Sequence, residues 1–255
     1  MKKLLTYTIA YVICCITTCQ AQANEIDITR FEGEKITGIE ISHAFDITIK
    51  QGPSTGATVS IPSHIQEKLV FEMNGTILKI GFKDMKSNRT NDRYSANITC
   101  STLERVSLSG TCNLIIEGTL NTSFLDLRLS GASNVTNNGR MTITGNFTTR
   151  VSGTSKLNLN MAVSSTARMS LSGSSDLTFI GSAMSTFIES SGSSKIYNDE
   201  FLCKSVDIKA SGASNISVNA SHTLNVSASG ASRVYYTGQP KISSITSGSS
   251  SIMSK

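Results

Sequence analysis

The chain has 255 residues, of which 16% are charged, and its formal net charge is +5. This weakly positive balance does not indicate a nucleic-acid partner. Beyond the N-terminal region, no segment is long and apolar enough to predict a transmembrane helix. Serine, threonine, asparagine and glycine are abundant, and this composition favours β-structure with many turns over helix.

The N-terminal region has the pattern of a secretory signal peptide. Lys2 and Lys3 precede an apolar run over residues 4–16, and Ala21-Gln22-Ala23 places small residues where a signal peptidase reads them. We expect cleavage after Ala23, which places the mature chain in the periplasm, at the cell surface or outside the cell. Cys19 offers an alternative, because the residues before it loosely resemble a lipoprotein processing site that would add a lipid anchor.

The next region, residues 24–100, is less regular and predicts a cap together with the first coils of a solenoid. Residues 41–47 read as a degenerate copy of the repeat that follows, with His43 in the place of its glycine. Asn74-Gly75 lies between alternating apolar residues and predicts a tight turn. Ser63, with glutamine three residues later, predicts a single helical turn by the capping-box pattern.

Residues 101–255 contain eight copies of a Ser-Gly repeat spaced 18–22 residues apart. Its glycines are Gly110, Gly131, Gly153, Gly173, Gly192, Gly212, Gly230 and Gly248. Apolar and polar residues alternate before each glycine, which predicts a strand with one buried face. An aliphatic residue recurs four positions after the glycine, from Leu114 to Ile252, and is expected to point inward. The glycine itself is expected at a corner, where it can adopt a positive φ.

A unit of about 20 residues cannot close a core alone, so the copies are expected to stack into a parallel β-solenoid. Stacking would align two rows of hydroxyls, one two positions after the glycine and one directly before it. The second row includes Ser130, Ser152, Ser172, Ser211 and Ser229. Each row is expected to form a ladder in which one hydroxyl donates to the next, so that the row can be buried.

Cysteines and histidines give little indication of chemistry. Cys100, Cys112 and Cys203 remain after the predicted cleavage, an odd number. A disulfide between Cys100 and Cys112 and a role as small buried residues both remain open. The three histidines lie far apart and share no spacing with the cysteines, so no metal site is predicted. The sequence contains no cofactor-binding motif.

The outward strand positions carry the candidate binding residues Arg128, Arg150, Arg168 and Lys209. Acidic residues, including Asp126, interleave with them. Arg128 and Arg150 occupy the same place in adjacent copies, where like charges repel. This pattern is consistent with an anion-binding strip or with a solvated face of mixed charge.

Three stretches carry a resemblance to a known family: residues 45–52, residues 74–80 and residues 98–110, together with the later Ser-Gly copies. They resemble the putative auto-transporter adhesin head domain, also called the head GIN domain, of secreted Bacteroidetes-type proteins. The resemblance covers nearly the whole mature chain. It implies a right-handed parallel β-helix on the cell surface or in the periplasm, and it supplies no catalytic or binding residues.

The sequence therefore predicts an exported, non-enzymatic, adhesin-like binding or structural protein of the bacterial cell envelope, whose partner is a glycan or a surface protein. It predicts no cofactor, and it leaves the oligomeric state open. The alternative is a polysaccharide-binding or polysaccharide-degrading β-helix enzyme. Such an enzyme would need paired carboxylates on neighbouring coils, for which Asp126, Asp176 and Asp207 are the candidates.

Overall fold

The computed structural model describes residues 25–85 and 93–255. The predicted signal peptide, residues 1–23, and the alternative anchoring residue Cys19 lie outside the described residues. The structure is nearly all β, with 68% strand and 3% helix, and forms a solenoid of about 8 turns spaced about 20 residues apart. The predicted fold class, an all-β solenoid, is confirmed.

Seven strands and one short helix make up the N-terminal part of the solenoid. In chain order they are β1 (Glu25–Arg30), β2 (Gly38–His43), β3 (Phe45–Gln51), β4 (Gly56–Pro62), a 3-10 helix (Ser63–Lys68), β5 (Leu69–Asn74), β6 (Ile77–Phe82) and β7 (Tyr94–Cys100).

Fourteen further strands pair in parallel and form the regular coils. They are β8 (Arg105–Gly110), β9 (Asn113–Glu117), β10 (Leu120–Thr122), β11 (Leu125–Leu129), β12 (Asn134–Asn137), β13 (Met141–Ile143), β14 (Phe147–Val151), β15 (Lys156–Leu171), β16 (Asp176–Ser190), β17 (Lys195–Ala210), β18 (Asn215–Ala228), β19 (Arg233–Thr237), β20 (Lys241–Thr246) and β21 (Ser251–Ser254).

The first two coils lie in the reverse of their order in the chain. One edge of β2 and β3 pairs in parallel with β8 and β9. The later strands β6 and β7 pair in parallel with the other edge of β2 and β3, on the side away from β8 and β9. β5 is antiparallel to β6, β4 to β7 and β1 to β4. Antiparallel strands therefore cover the N-terminal end of the solenoid, whereas β20 at the other end is exposed along all its residues.

The local signals in this N-terminal region are confirmed with one exception. A 3-10 helix begins at Ser63, where the sequence predicts a helical turn, but no side-chain hydrogen bond caps it, so the capping-box prediction is wrong. β5 and β6 form an antiparallel hairpin around Asn74-Gly75. His43 has a φ of 77° and pairs in register with Gly110, so it begins the column of glycines.

Each coil has three faces. Face A consists of the strands that lead into the glycine corner, such as β8, β11 and β14, and face B of those that follow it, such as β9 and β12. Face C consists of short strands such as β10 and β13. Each of the strands β15 to β18 continues through all three faces, as shown by β15, which pairs with β12, β13 and β14 in turn.

The eight repeat glycines stack on one another at the corner between faces A and B. All have a positive φ, between 69° and 97°. A Cβ atom at Gly173 would lie 2.5 Å from the carbonyl oxygen of Gly153, and the equivalent distance is 2.3–2.8 Å at the other repeat glycines. The same oxygen accepts a hydrogen bond from the Ser174 N–H at 2.9 Å. The corner therefore requires glycine for both its backbone conformation and its close stacking.

The serines two positions after the glycine form a buried column. They are Ser133, Ser155, Ser175, Ser194, Ser214 and Ser232. Ser155 shows the bonding pattern, because its one hydroxyl hydrogen is shared between two carbonyl oxygens, that of Gly131 at 3.5 Å and that of Ser152 at 3.4 Å. These hydroxyls therefore satisfy the main chain at the corner.

The serines directly before the glycine form a second column, called here the serine column, which is partly or fully exposed. It includes Ser130, Ser152, Ser172, Ser211 and Ser229. The Ser152 hydroxyl donates to the Leu129 carbonyl at 3.4 Å. The ladders expected from the sequence are therefore wrong in two respects. The serine column is not buried, and its hydroxyls donate to main-chain carbonyls instead of to one another. Neighbouring strands are about 4.8 Å apart, whereas a hydroxyl hydrogen bond spans about 2.8 Å, so the main-chain carbonyl is the nearer acceptor.

The interior is a continuous column of apolar side chains. Phe147, Phe179 and Phe201 are fully buried and pack edge to face, with ring centroids 5.7 and 5.8 Å apart. The Thr149 hydroxyl is also buried and has no hydrogen-bond partner among the described residues. A buried polar group left unpaired costs about 1–3 kcal/mol, so the Thr149 hydroxyl lowers the stability of the core.

Candidate functional site

An open groove runs along face A beside the glycine corner. One side is the serine column. The other side, called here the charged column, lies three positions before each glycine and consists of Ser107, Arg128, Arg150, Ser170, Glu189, Lys209 and Ser227. The groove has a volume of about 720 Å³.

The groove is long, and main chain forms its floor. It crosses face A from β8 to β18, which at about 4.8 Å per strand gives a length of about 29 Å. The floor residues between the two columns, such as Leu129 and Leu171, point their side chains into the core. Their strands pair with neighbours on both sides, so the N–H and C=O groups of the floor are already used within the sheet. A ligand would therefore meet the side chains of the two columns.

Arg128 and Arg150 lie in register on adjacent strands and share one carboxylate. Arg128 Nη2 is 2.8 Å from Asp126 Oδ2, and Arg150 Nη1 is 3.2 Å from Asp126 Oδ1. The hydrogen bond to Asp126 raises the pKa of the Arg128 guanidinium above its ordinary value. The two guanidinium groups are about half exposed, whereas Asp126 is 18% exposed. Asp126 thus relieves the repulsion between the arginines and leaves this trio with one net positive charge.

The other two predicted binding residues are placed differently. Lys209 belongs to the charged column, where its Nζ is 3.7 Å from Glu189 Oε1. Arg168 lies five positions before its glycine and faces a second groove of about 440 Å³, with its guanidinium 4.7 Å from the ring centroid of Phe187. Lys209 therefore lines both grooves, Arg128 and Arg150 line only the first, and Arg168 lines only the second. The different position of Arg168 could have been predicted from the sequence, because it lies five positions before its glycine and the charged column lies three positions before. No sequence signal indicated the groove itself.

The carboxylates proposed for an enzyme do not pair with one another. Asp126, Asp176 and Asp207 each lie in register with residues that carry no carboxylate in the described sheet. Their in-register neighbours are, respectively, Arg105 and Thr148, Lys156 and Lys195, and Phe187 and Asn225. The two-carboxylate geometry of a glycoside hydrolase is therefore not assembled from these residues.

The cysteines are buried, and the described residues contain no disulfide. Burial raises the pKa of the Cys100 thiol to about 11 and also raises the pKa values of Cys112 and Cys203. Cys112 takes the place of the buried serine in its copy, and its Sγ donates to the His43 carbonyl at 3.4 Å. The thiols are therefore protonated at neutral pH and serve as small packing residues. The described residues also contain no cluster of three or more potential metal ligands.

The fold and the groove define the chain as a parallel β-solenoid protein with an extended surface groove. The chain belongs to the family described as putative auto-transporter adhesin, head GIN domain, whose model matches residues 35–240. The resemblance seen in the sequence is therefore confirmed. Within residues 25–85 and 93–255, no helix has the length and apolar character needed to span a bilayer.

Solved structures from Parabacteroides share this fold. A putative lipid binding protein from Parabacteroides distasonis has a TM-score of 0.80 and 21% identity, and the match covers 92% of this chain and 98% of that one. A putative adhesin from Parabacteroides merdae has a TM-score of 0.83 and 14% identity, with 92% and 97% covered. A putative adhesin from Parabacteroides distasonis has a TM-score of 0.81 and 16% identity, with 92% and 98% covered. No curated protein matches the sequence.

Proposed function

We propose that this protein is an exported, non-enzymatic binding module of the bacterial cell envelope, which holds an extended ligand along the groove of face A. The observation that carries this proposal is the groove itself, which extends for about 29 Å between two columns of polar side chains. The secretory pattern of residues 1–23 and the membership in a family of putative adhesins support the envelope location.

The chemistry of the groove supports binding over catalysis. Its titratable side chains are Arg128, Arg150, Glu189 and Lys209, and Glu189 lies within 3.7 Å of Lys209. General acid–base catalysis needs one group that donates a proton and another that accepts one at the reacting bond. The carboxylate among the residues that line the groove, Glu189, is instead paired with Lys209. The buried thiols have raised pKa values and do not line the groove, so they are unsuited to nucleophilic attack.

The two sides of the groove favour a polar ligand over an acyl chain. The serine column and the charged column place hydroxyl, guanidinium and carboxylate groups along these sides, and apolar surface is exposed between them. An acyl chain would desolvate these groups without replacing their hydrogen bonds to water. The proposed ligand is therefore a glycan or the polar surface of another protein.

Blocking the groove tests this proposal. Ser172 lies in the serine column midway along the groove, and Ser172→Trp is expected to fill the groove there and weaken ligand binding about tenfold or more, a loss of about 1.4 kcal/mol. Asn158→Trp is the matched control, because Asn158 is exposed on face B of the same strand, β15. Binding of the mature chain to envelope fractions and to a glycan array should fall for the first variant alone. Equal binding by the two variants would contradict the proposal.

A further inference from the structure

We propose that the ligand of the groove is an acidic polysaccharide, and that one of its oxyanion groups is bound between Arg128 and Arg150. This inference rests on the proposed function, because it names the ligand of the same groove. The subsite lies near the N-terminal end of the groove, where the charged column passes from β8 to β14.

Both arginines keep donors that their hydrogen bonds to Asp126 do not use. Asp126 accepts two hydrogen bonds from Arg128 and one from Arg150. Each guanidinium carries more N–H donors than these, in a planar arrangement that matches a carboxylate, sulfate or phosphate. Because the two arginines are about half exposed and in register on adjacent strands, their remaining donors can converge on one anion.

Asp126 positions this subsite without neutralising it. Its carboxylate holds both guanidinium groups, and it is mostly buried beneath them. Further charges of both signs surround the trio. Arg105 pairs in register with Asp126, Arg168 lies two strands from Asp126 on the other side, and Glu40 lies two strands from Arg128. The trio itself, two guanidinium groups and one carboxylate, carries one net positive charge.

The opposite end of the groove carries no comparable excess of charge. Lys209 and Glu189 form an ion pair there at 3.7 Å, and Ser227 follows on the next strand. Arg168 faces the second groove and contacts Phe187. The net charge therefore changes along the groove: it is positive at Arg128 and Arg150 and balanced at Glu189 and Lys209. A ligand with acidic groups along a polar chain fits this arrangement.

A polysaccharide fits the groove better than an extended peptide does. A peptide that adds a strand to a sheet needs unpaired main-chain N–H and C=O groups. The strands beneath the groove are paired on both sides, so they do not offer such an edge. The serine column instead offers a hydroxyl at each strand, and Ser130, Ser152 and Ser211 already donate to main-chain carbonyls at 3.4–3.5 Å. Their oxygens remain available as acceptors for the hydroxyls of a sugar chain.

The test compares three probes on one set of variants. Polygalacturonate carries carboxylates, dextran sulfate carries sulfates, and dextran is neutral. We expect the wild-type protein to bind at least one acidic probe at low salt and to bind it more weakly as salt rises, since exposed charges are screened. The double variant Arg128→Gln/Arg150→Gln should lose about tenfold or more of this affinity. Arg233→Gln, which changes an exposed arginine on face B, should bind as the wild type does.

The outcomes separate this inference from the proposed function. If Ser172→Trp abolishes binding of the acidic probe and the double arginine variant does not weaken it, the groove is the site and the anion subsite is wrong. If neither variant weakens binding, both proposals fail. Failure of the wild-type protein to bind either acidic probe also overturns the subsite. The acidic probe that binds more tightly identifies carboxylate or sulfate as the preferred group. Far-UV circular dichroism melts of all variants confirm that they fold.

Discussion

Gly173→Ala is expected to destabilise the protein by about 3 kcal/mol or more, the sum of a positive-φ penalty of about 1–2 kcal/mol and a steric clash. Gly173 has a φ of 88°, and its added Cβ would lie 2.5 Å from the Gly153 carbonyl oxygen. That oxygen is fixed main chain, so the two coils would have to separate. Their separation would also weaken the hydrogen bond from the Ser174 N–H to the same oxygen.

Gly118→Ala is the matched control for this prediction. Gly118 also has a positive φ, 71°, but apart from its two chain neighbours no heavy atom of the described residues lies within 4 Å of its Cβ position. The control should therefore show the backbone penalty alone, about 1–2 kcal/mol. Urea denaturation followed by far-UV circular dichroism measures both. Equal losses in the two variants would mean that close stacking of the corners contributes nothing to stability.

Phe179→Ala should cost about 3–5 kcal/mol, as expected for a large aromatic residue removed from a packed core. Phe179 is fully buried and contacts Phe147 on one side and Phe201 on the other. Stacked coils obtain most of their stability from interfaces with their neighbours. The cavity would therefore weaken the interfaces on both sides of the coil that contains β16.

Phe124→Ala provides the comparison, because Phe124 is 45% exposed. Its removal should change the free energy of unfolding by only about 0.5 kcal/mol. The same urea titrations measure this pair. A loss at Phe179 as small as that at Phe124 would show that the aromatic column is not part of the stabilising core.

Much of the fold could be predicted from the sequence, because most of the chain is a repeat. The spacing of the glycines and the alternation before them determine coil length and strand direction, because stacked copies must bury the same positions. The place of His43 in the glycine column could also be predicted from residues 41–47, which pair in register with β8 and β9. These features follow from local patterns that recur in every copy.

Other features could not be predicted from the sequence, because they depend on which strands and side chains lie next to each other in the folded chain. The hydrogen bonds of Ser152 and Ser155 go to carbonyls because adjacent hydroxyls are too far apart to meet. The first two coils lie in reverse order because β6 and β7 pair on the far side of β2 and β3, a long-range choice without a local signal. The groove and the role of Asp126 arise only when the coils are stacked. Arg128 and Arg150 could be predicted as neighbours from the repeat, whereas Asp126 could not be predicted as the carboxylate that holds them.

Arginine footprinting tests most directly whether face A holds the ligand. Exposed arginines are modified with a dicarbonyl reagent, with and without polygalacturonate, and the modified peptides are quantified by mass spectrometry. Bound ligand should protect Arg128 and Arg150 in the charged column and leave Arg233 on face B unchanged. Protection of Arg233, with Arg128 and Arg150 still fully reactive, would contradict binding in the groove.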